Sequence, residues 1–152
     1  MAIRNILQIG DPTLRKKSFE VTDFGEKTHQ LLDDMKETLI KADGAGLAAP
    51  QVGVLRRIFI VYVDGKFYEC INPVILKQKG KQRDNEGCLS VKGKYGEVVR
   101  PNFITLKAFD RFGKPFVVNA EGFLARAFCH EYDHLDGIIY VDKAEFVREE
   151  SR

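Results

Sequence analysis

Long apolar runs are missing from this 152-residue chain. Nothing in it approaches the ~20 consecutive apolar residues of a membrane helix, and the N-terminus lacks the apolar stretch of a secretory signal. The expectation is a soluble protein without a membrane partner, cytoplasmic in a bacterial setting or the mature form of an organellar one. An excess of either charge is also missing: 24 Lys and Arg stand against 22 Asp and Glu, for a net +2. No strong field therefore points to a membrane surface or to direct, specific nucleic-acid binding, and the short run Arg15-Lys16-Lys17 reads as a solvated face. Cysteine is scarce and odd in number, with Cys70, Cys88 and Cys129, which argues against a disulfide framework and leaves at least one thiol needing another role. Repeats, low-complexity tracts and Pro/Gly/Ser linkers are absent, so residues 1–152 read as a single domain.

What is present is ordinary globular composition, 44% hydrophobic and 30% charged. Leu31, Leu32, Met35, Leu39 and Ile40 recur at helical spacing, predicting an amphipathic helix over Glu26 to Lys41 that stops at Gly44. Arg57 to Val63 and Lys66 to Ile71, rich in β-branched and aromatic residues and separated by Asp64-Gly65, predict a hairpin. Further extended runs are expected over Val98 to Asp110 and Pro115 to Val118, joined by a turn at Arg111 to Lys114. A second helix is predicted over Glu121 to Leu135, capped by Asn119 and stopped by Gly137. Ile138 to Val141 reads as a short strand, and Lys143 to Arg152 as a polar, frayed tail. The fold class is α+β: antiparallel β-sheets packed around a central helix, the second of the two, with another helix nearer the N-terminus.

The second helix carries His130-Glu131-Tyr132-Asp133-His134. Histidines four apart lie about 40° apart around a helix axis, so both imidazoles can meet one ion. Glu131 projects into a neighbouring sector, which suits a proton carrier better than a ligand. A metal lowers the pKa of water toward ~7, and the carboxylate can take that proton and deliver it to a leaving amine. The third histidine, His29, falls on the polar side of the first helix and reads as surface.

Two imidazoles need a third protein ligand. Downstream only the polar tail offers Glu145, Glu149 and Glu150. Upstream, Cys88 sits in the small-residue turn Glu86-Gly87-Cys88-Leu89-Ser90, and a thiolate is a strong ligand for zinc or ferrous iron. Cys129 adjoins His130, and neighbouring helix positions diverge by about 100°, so its sulfur should miss the ion and serve packing. Cys70, in an apolar run, reads as a small buried hydrophobe. A metalloprotease cutting internal bonds would use a carboxylate third ligand and tolerate Cys88→Ala. A noncatalytic metal-binding domain would bind metal and turn nothing over.

Three segments together resemble the peptide deformylase family: Gly44-Ala45-Gly46-Leu47-Ala48-Ala49-Pro50-Gln51, Glu86-Gly87-Cys88-Leu89-Ser90, and His130-Glu131-Tyr132-Asp133-His134-Leu135-Asp136-Gly137. Their order and spacing match, and the likeness runs from about Asp11 to Val141. It departs at Lys92, where proline is common, and at Cys129, where glutamine is frequent.

The resemblance implies removal of the N-formyl group from the terminal methionine of nascent polypeptides, with release of formate. Carried over by position, Cys88, His130 and His134 are the metal ligands and Glu131 the general acid/base. The Gln51 side chain and the Leu89 backbone N–H are the oxyanion donors. Gly46 is expected to let the peptide pair as an added strand. Phe123, Ala127 and His130, with Leu89 nearby, are expected to line the methionine pocket, and Arg126 to border it or to extend over the rim into solvent. One divalent ion is implied, ferrous iron by the resemblance, with zinc, nickel or cobalt also compatible with the ligand set. Transient ribosome contact is part of the same implication, although the tail here is short beside members that end in a long helix.

Overall fold

The computed structural model describes residues 2–150. Its eight strands are β1 (Gly46–Ala48), β2 (Ile58–Val63), β3 (Lys66–Lys79), β4 (Gln82–Cys88), β5 (Val91–Arg100), β6 (Phe103–Phe109), β7 (Pro115–Glu121) and β8 (Val147–Glu149). Two helices, α1 (Glu26–Ala42) and α2 (Phe123–Leu135), complete an α+β architecture. A five-stranded antiparallel sheet has the order β1-β2-β3-β6-β7, and a three-stranded one the order β4-β5-β8.

The run Ile58 to Val61 is apolar without alternation because β2 is buried on both faces. Phe59 and Val61 pack with Ala125, Phe128 and Leu135 of α2. Ile58 and Ile60 pack with Leu31, Leu32, Met35 and Leu39 of α1. Phe128, fully buried, lies 6.0 Å from Phe59 and 5.3 Å from Tyr68 between ring centroids. Truncating such a side chain costs about 3 to 5 kcal/mol, so Phe128 is a main anchor of α2.

The turn Asp64-Gly65 has φ of 53° and 76°, the two positive values that a type I′ hairpin needs. The first helix ends on Asp43, left-handed at φ 55°, and not on Gly44. Gly44 is small for a packing reason: a Cβ there would stand 2.8 Å from Leu89 Cδ1.

Several expected boundaries are overturned. The run Val98 to Asp110 is two strands in different sheets, broken at Pro101-Asn102, since proline has no N–H for the ladder. The strand before α2 continues to Glu121, so Asn119 is no helix cap; it accepts a 2.8 Å hydrogen bond from Thr105 across β6 and β7. Gly122, at φ 63°, turns the chain into the helix. The predicted strand at Ile138 to Val141 is a 3-10 turn, Tyr140–Asp142, because Asp142 caps Ile139 N–H and binds Arg15. Within the expected frayed tail, Val147–Glu149 pairs with β5, where side-chain-free Gly96 lets the chain approach; residues 151 and 152 of that tail lie outside the described span. His29 is half-buried and shares a 2.7 Å hydrogen bond with the carbonyl of Arg111, so it is not merely surface.

Helix α2 lies between the sheets. One stripe is apolar and meets the large sheet; Arg126, His130 and Asp133, spaced i, i+4 and i+7, turn instead to Glu86 and Arg100 of the small one.

Candidate metal centre and active site

Cys88 ends β4, and the register slips between Glu86 and Cys88. Such an irregularity re-aims a side chain. The sulfur stands 3.4 Å from His134 Nε2. The ligand atoms of Cys88, His130 and His134 all lie within 4.8 Å of one another.

A tetrahedral ion with bonds of ~2.3 Å to sulfur and ~2.0 Å to nitrogen requires an S···N edge of about 3.5 Å. The observed 3.4 Å fits, and one thiolate with two imidazoles is a suitable donor set for a divalent transition metal.

His130 is aimed from behind: its Nδ1 is 2.7 Å from Glu86 Oε1, leaving Nε2 for the cluster. Glu86 is itself buried and accepts two 2.8 Å hydrogen bonds from Arg100 and one of 2.5 Å from Arg126. Burial works to raise its carboxyl, but the bonds from Arg100 and His130 outweigh it and hold the group well below the usual carboxylate range. Arg100 also reaches Asp133 at 2.6 Å, and Lys143 reaches the same oxygen at 2.9 Å. This ionic cluster is the functional feature that sequence reasoning missed. Its only linear signals are Glu86 and Asp133 inside the two motifs and the helical spacing of Arg126.

Glu131 is buried, with Oε2 3.9 Å from His130 Nε2 and Oε1 without a hydrogen-bond partner among the described residues. Burial pushes its carboxyl up to about 7, against the opposing pull of His130. It fills the space beside Gly46, where a Cβ would come 2.5 Å from Oε2. Gly46 opens β1, which is an edge strand with one side unpaired in the sheet order.

Gln51, fully buried in the 3-10 helix Ala49–Val52, accepts from Ala48 N–H through Oε1 at 2.9 Å. That contact fixes the amide so that Nε2 donates to Ser90 Oγ at 3.0 Å and faces Cys88 Sγ at 3.5 Å. The turn bearing Leu89 is held by Gln8, whose amide donates to the Leu89 carbonyl at 2.9 Å, and by Ile9 N–H on the Ser90 carbonyl at 2.8 Å.

A cavity of about 1000 Å³ opens in front of these groups. Gly46, Cys88, Leu89, Phe123, Arg126, Ala127, His130 and Glu131 all lie on its wall; Gln51 and His134 do not, and reach the site from behind it. Phe123 is exposed at 59%, Ala127 is buried, and Arg126 is 3% exposed. The alternative in which Arg126 extends into solvent is overturned: Glu86 and the Val98 carbonyl at 2.9 Å draw its guanidinium inward. Cys129 is absent from the ligand cluster and packs in the core, where burial pushes its thiol up to about 11. Cys70 is fully buried in the same core.

The sequence model of one family, described as polypeptide deformylase, matches residues 3–150. A peptide deformylase of Caldicellulosiruptor bescii is 53% identical over 99% of this chain and 91% of its own. The structure resembles the crystal structure of a peptide deformylase from Legionella pneumophila, with TM-score 0.92 and 43% identity over 94% of this chain and 86% of that one. It also resembles the enzyme from Thermotoga maritima, with TM-score 0.93 and 37% identity over 95% of this chain and 99% of that one.

Proposed function

The chain belongs to the polypeptide deformylase family, metal-dependent hydrolases that take the N-formyl group from the terminal methionine of new polypeptides, and on that premise we propose how its residues divide the work. Cys88, His130 and His134 hold the single divalent ion. When bound, the ion supplies Lewis acidity, polarising a carbonyl oxygen and acidifying water.

Glu131 moves the proton. It takes one from the attacking water as oxygen bonds to the formyl carbon, and returns it to the amide nitrogen as the C–N bond breaks. Formate and a free amino terminus result. A buried carboxylate standing beside the ligand cluster is placed to accept that proton and to release it to the leaving nitrogen. Gln51 Nε2 and the Leu89 N–H donate to the oxygen on which charge develops, a contribution of about 3 to 4 kcal/mol to the barrier.

The substrate pairs along the open edge at Gly46. Phe123, Ala127, Leu89 and the stem of Arg126 enclose the methionine side chain beside His130. Ferrous iron is the working ion, with zinc, nickel or cobalt able to occupy the same ligands. The enzyme works as one catalytic domain over residues 1–152, in the cytoplasm of a bacterial-type cell or within an organelle, meeting the ribosome transiently. No helix among the described residues is long and apolar enough to cross a membrane.

The convergence of Cys88 Sγ with the two imidazoles, Glu131 beside them, carries the reading. The test is formate release from a formyl-methionyl peptide under anaerobic conditions with iron or nickel supplied. Turnover by the parent and its loss in Glu131→Gln are expected. Equal rates in both proteins contradict the proton-transfer assignment.

A further inference from the structure

The cavity wall carries more positive than negative charge. Arg4, near the N-terminus, Lys41, in the last turn of α1, and Lys92 and Lys94 of β5 all line it. Arg4 is neutralised by Asp34 at 2.9 Å. Lys94 stands opposite Glu149 in the register of β5 and β8, and the acids on the wall among the described residues are Glu86, Glu131 and Glu150. Lys41 and Lys92 are exposed, and among the described residues neither has a carboxylate within 4.0 Å. The deeper acid Glu86 is already balanced by Arg100 and Arg126.

These two lysines thus present unpaired charge to whatever leaves the cavity. An extended peptide advances about 3.3 Å per residue and alternates its side chains. With its formyl end at the Cys88 cluster and its first side chain among Phe123 and Ala127, the second and third side chains emerge near the mouth on opposite sides.

We propose that Lys41 and Lys92 select peptides bearing an acidic side chain at the second or third residue. The proposal rests on the reading of this cavity as the cleft for formylated peptides. One exposed pair about 6 Å apart in water changes association roughly threefold, and reversing the sign of the peptide charge makes that about tenfold. Salt shortens the Debye length to about 3 Å at 1 M, so the preference must fade as salt rises.

The experiment uses nickel-loaded full-length protein and formyl-Met-Ala-Ala peptides with Asp, Ala or Lys substituted at the second or third position. kcat/KM is measured for each at low and high salt. The expected result is an Asp-to-Lys ratio of about three to ten at low salt that collapses toward one at high salt. In K41Q and K92Q the low-salt ratio falls, and in the double variant it approaches one. Reading the ratio within each variant cancels any loss common to all peptides. Turnover of the Ala peptide with no acidic preference, a preference insensitive to salt, or a preference that survives in the double variant overturns the proposal and leaves the deformylase reading standing. Failure of the parent to process the Ala peptide overturns both.

Discussion

Replacing Glu86 by alanine should damage the fold and the metal site together. Its carboxylate accepts from Arg100 Nε and Nη2, from Arg126 Nη1 and from His130 Nδ1, and every one of these side chains is buried. Among the described residues, Arg100 then keeps only Asp133, and Arg126 keeps only the neutral oxygens of Val98 and Gln82. Removing one partner of a buried ion pair costs about 3 to 5 kcal/mol, because the surviving charge stays desolvated. For a chain of this size 1 kcal/mol moves Tm by about 2 to 4 °C, so Tm should fall by roughly 6 to 20 °C. Loss of the partner that orients a ligating histidine should weaken metal binding about 10- to 100-fold, or roughly 1.4 to 2.7 kcal/mol. Urea unfolding of the metal-free protein reads the first term, and competition with a chelator reads the second. A variant within about 1 kcal/mol of the parent in unfolding, with unchanged metal affinity, would refute the reasoning that this ionic cluster both buttresses α2 and aims His130.

Gly46→Ala places a methyl group against Glu131 Oε2, so kcat should drop by about 100-fold while metal content, read by elemental analysis, is retained. Gln51→Leu should retain the metal and lower kcat about 10²- to 10³-fold in a formate assay, because the donor facing Cys88 and Ser90 is lost. Glu69 is raised by burial but lowered further by its bonds to Arg111 and Lys36, so its folded pKa lies below the unfolded value near 4.5. As pH falls through that window the native state binds fewer protons than the unfolded chain, and the stabilisation present at neutrality is lost. Urea midpoints compared between pH 6 and pH 3 should therefore differ less in Glu69→Gln than in the parent.

Elements governed by local chemistry are legible in the amino-acid sequence alone. The α1 stripe and the Asp64-Gly65 turn depend on neighbours a few residues away, and so does the i, i+4 pairing of His130 and His134. Boundaries set by distant partners are not legible in this way. Pro101 is a local sign that the run Val98 to Asp110 breaks, but that its two halves join different sheets is set by partners distant in sequence. Asn119 looks like a cap until Thr105 takes its side chain, and the tail becomes β8 only because Gly96 leaves room for it. The site divides in the same way. The position of Cys88 follows from an irregularity between Glu86 and Cys88, and Arg126 turns inward because Glu86 is there to receive it. The burial of a charged side chain is decided by its partners across space.

The most direct test of the central claim is X-ray absorption on protein loaded with one equivalent of zinc or iron, compared with Cys88→Ser. One sulfur scatterer at ~2.3 Å with nitrogen or oxygen at ~2.0 to 2.1 Å is expected in the parent, and no sulfur in the variant. A parent spectrum without sulfur, or one that the substitution leaves unchanged, contradicts that claim.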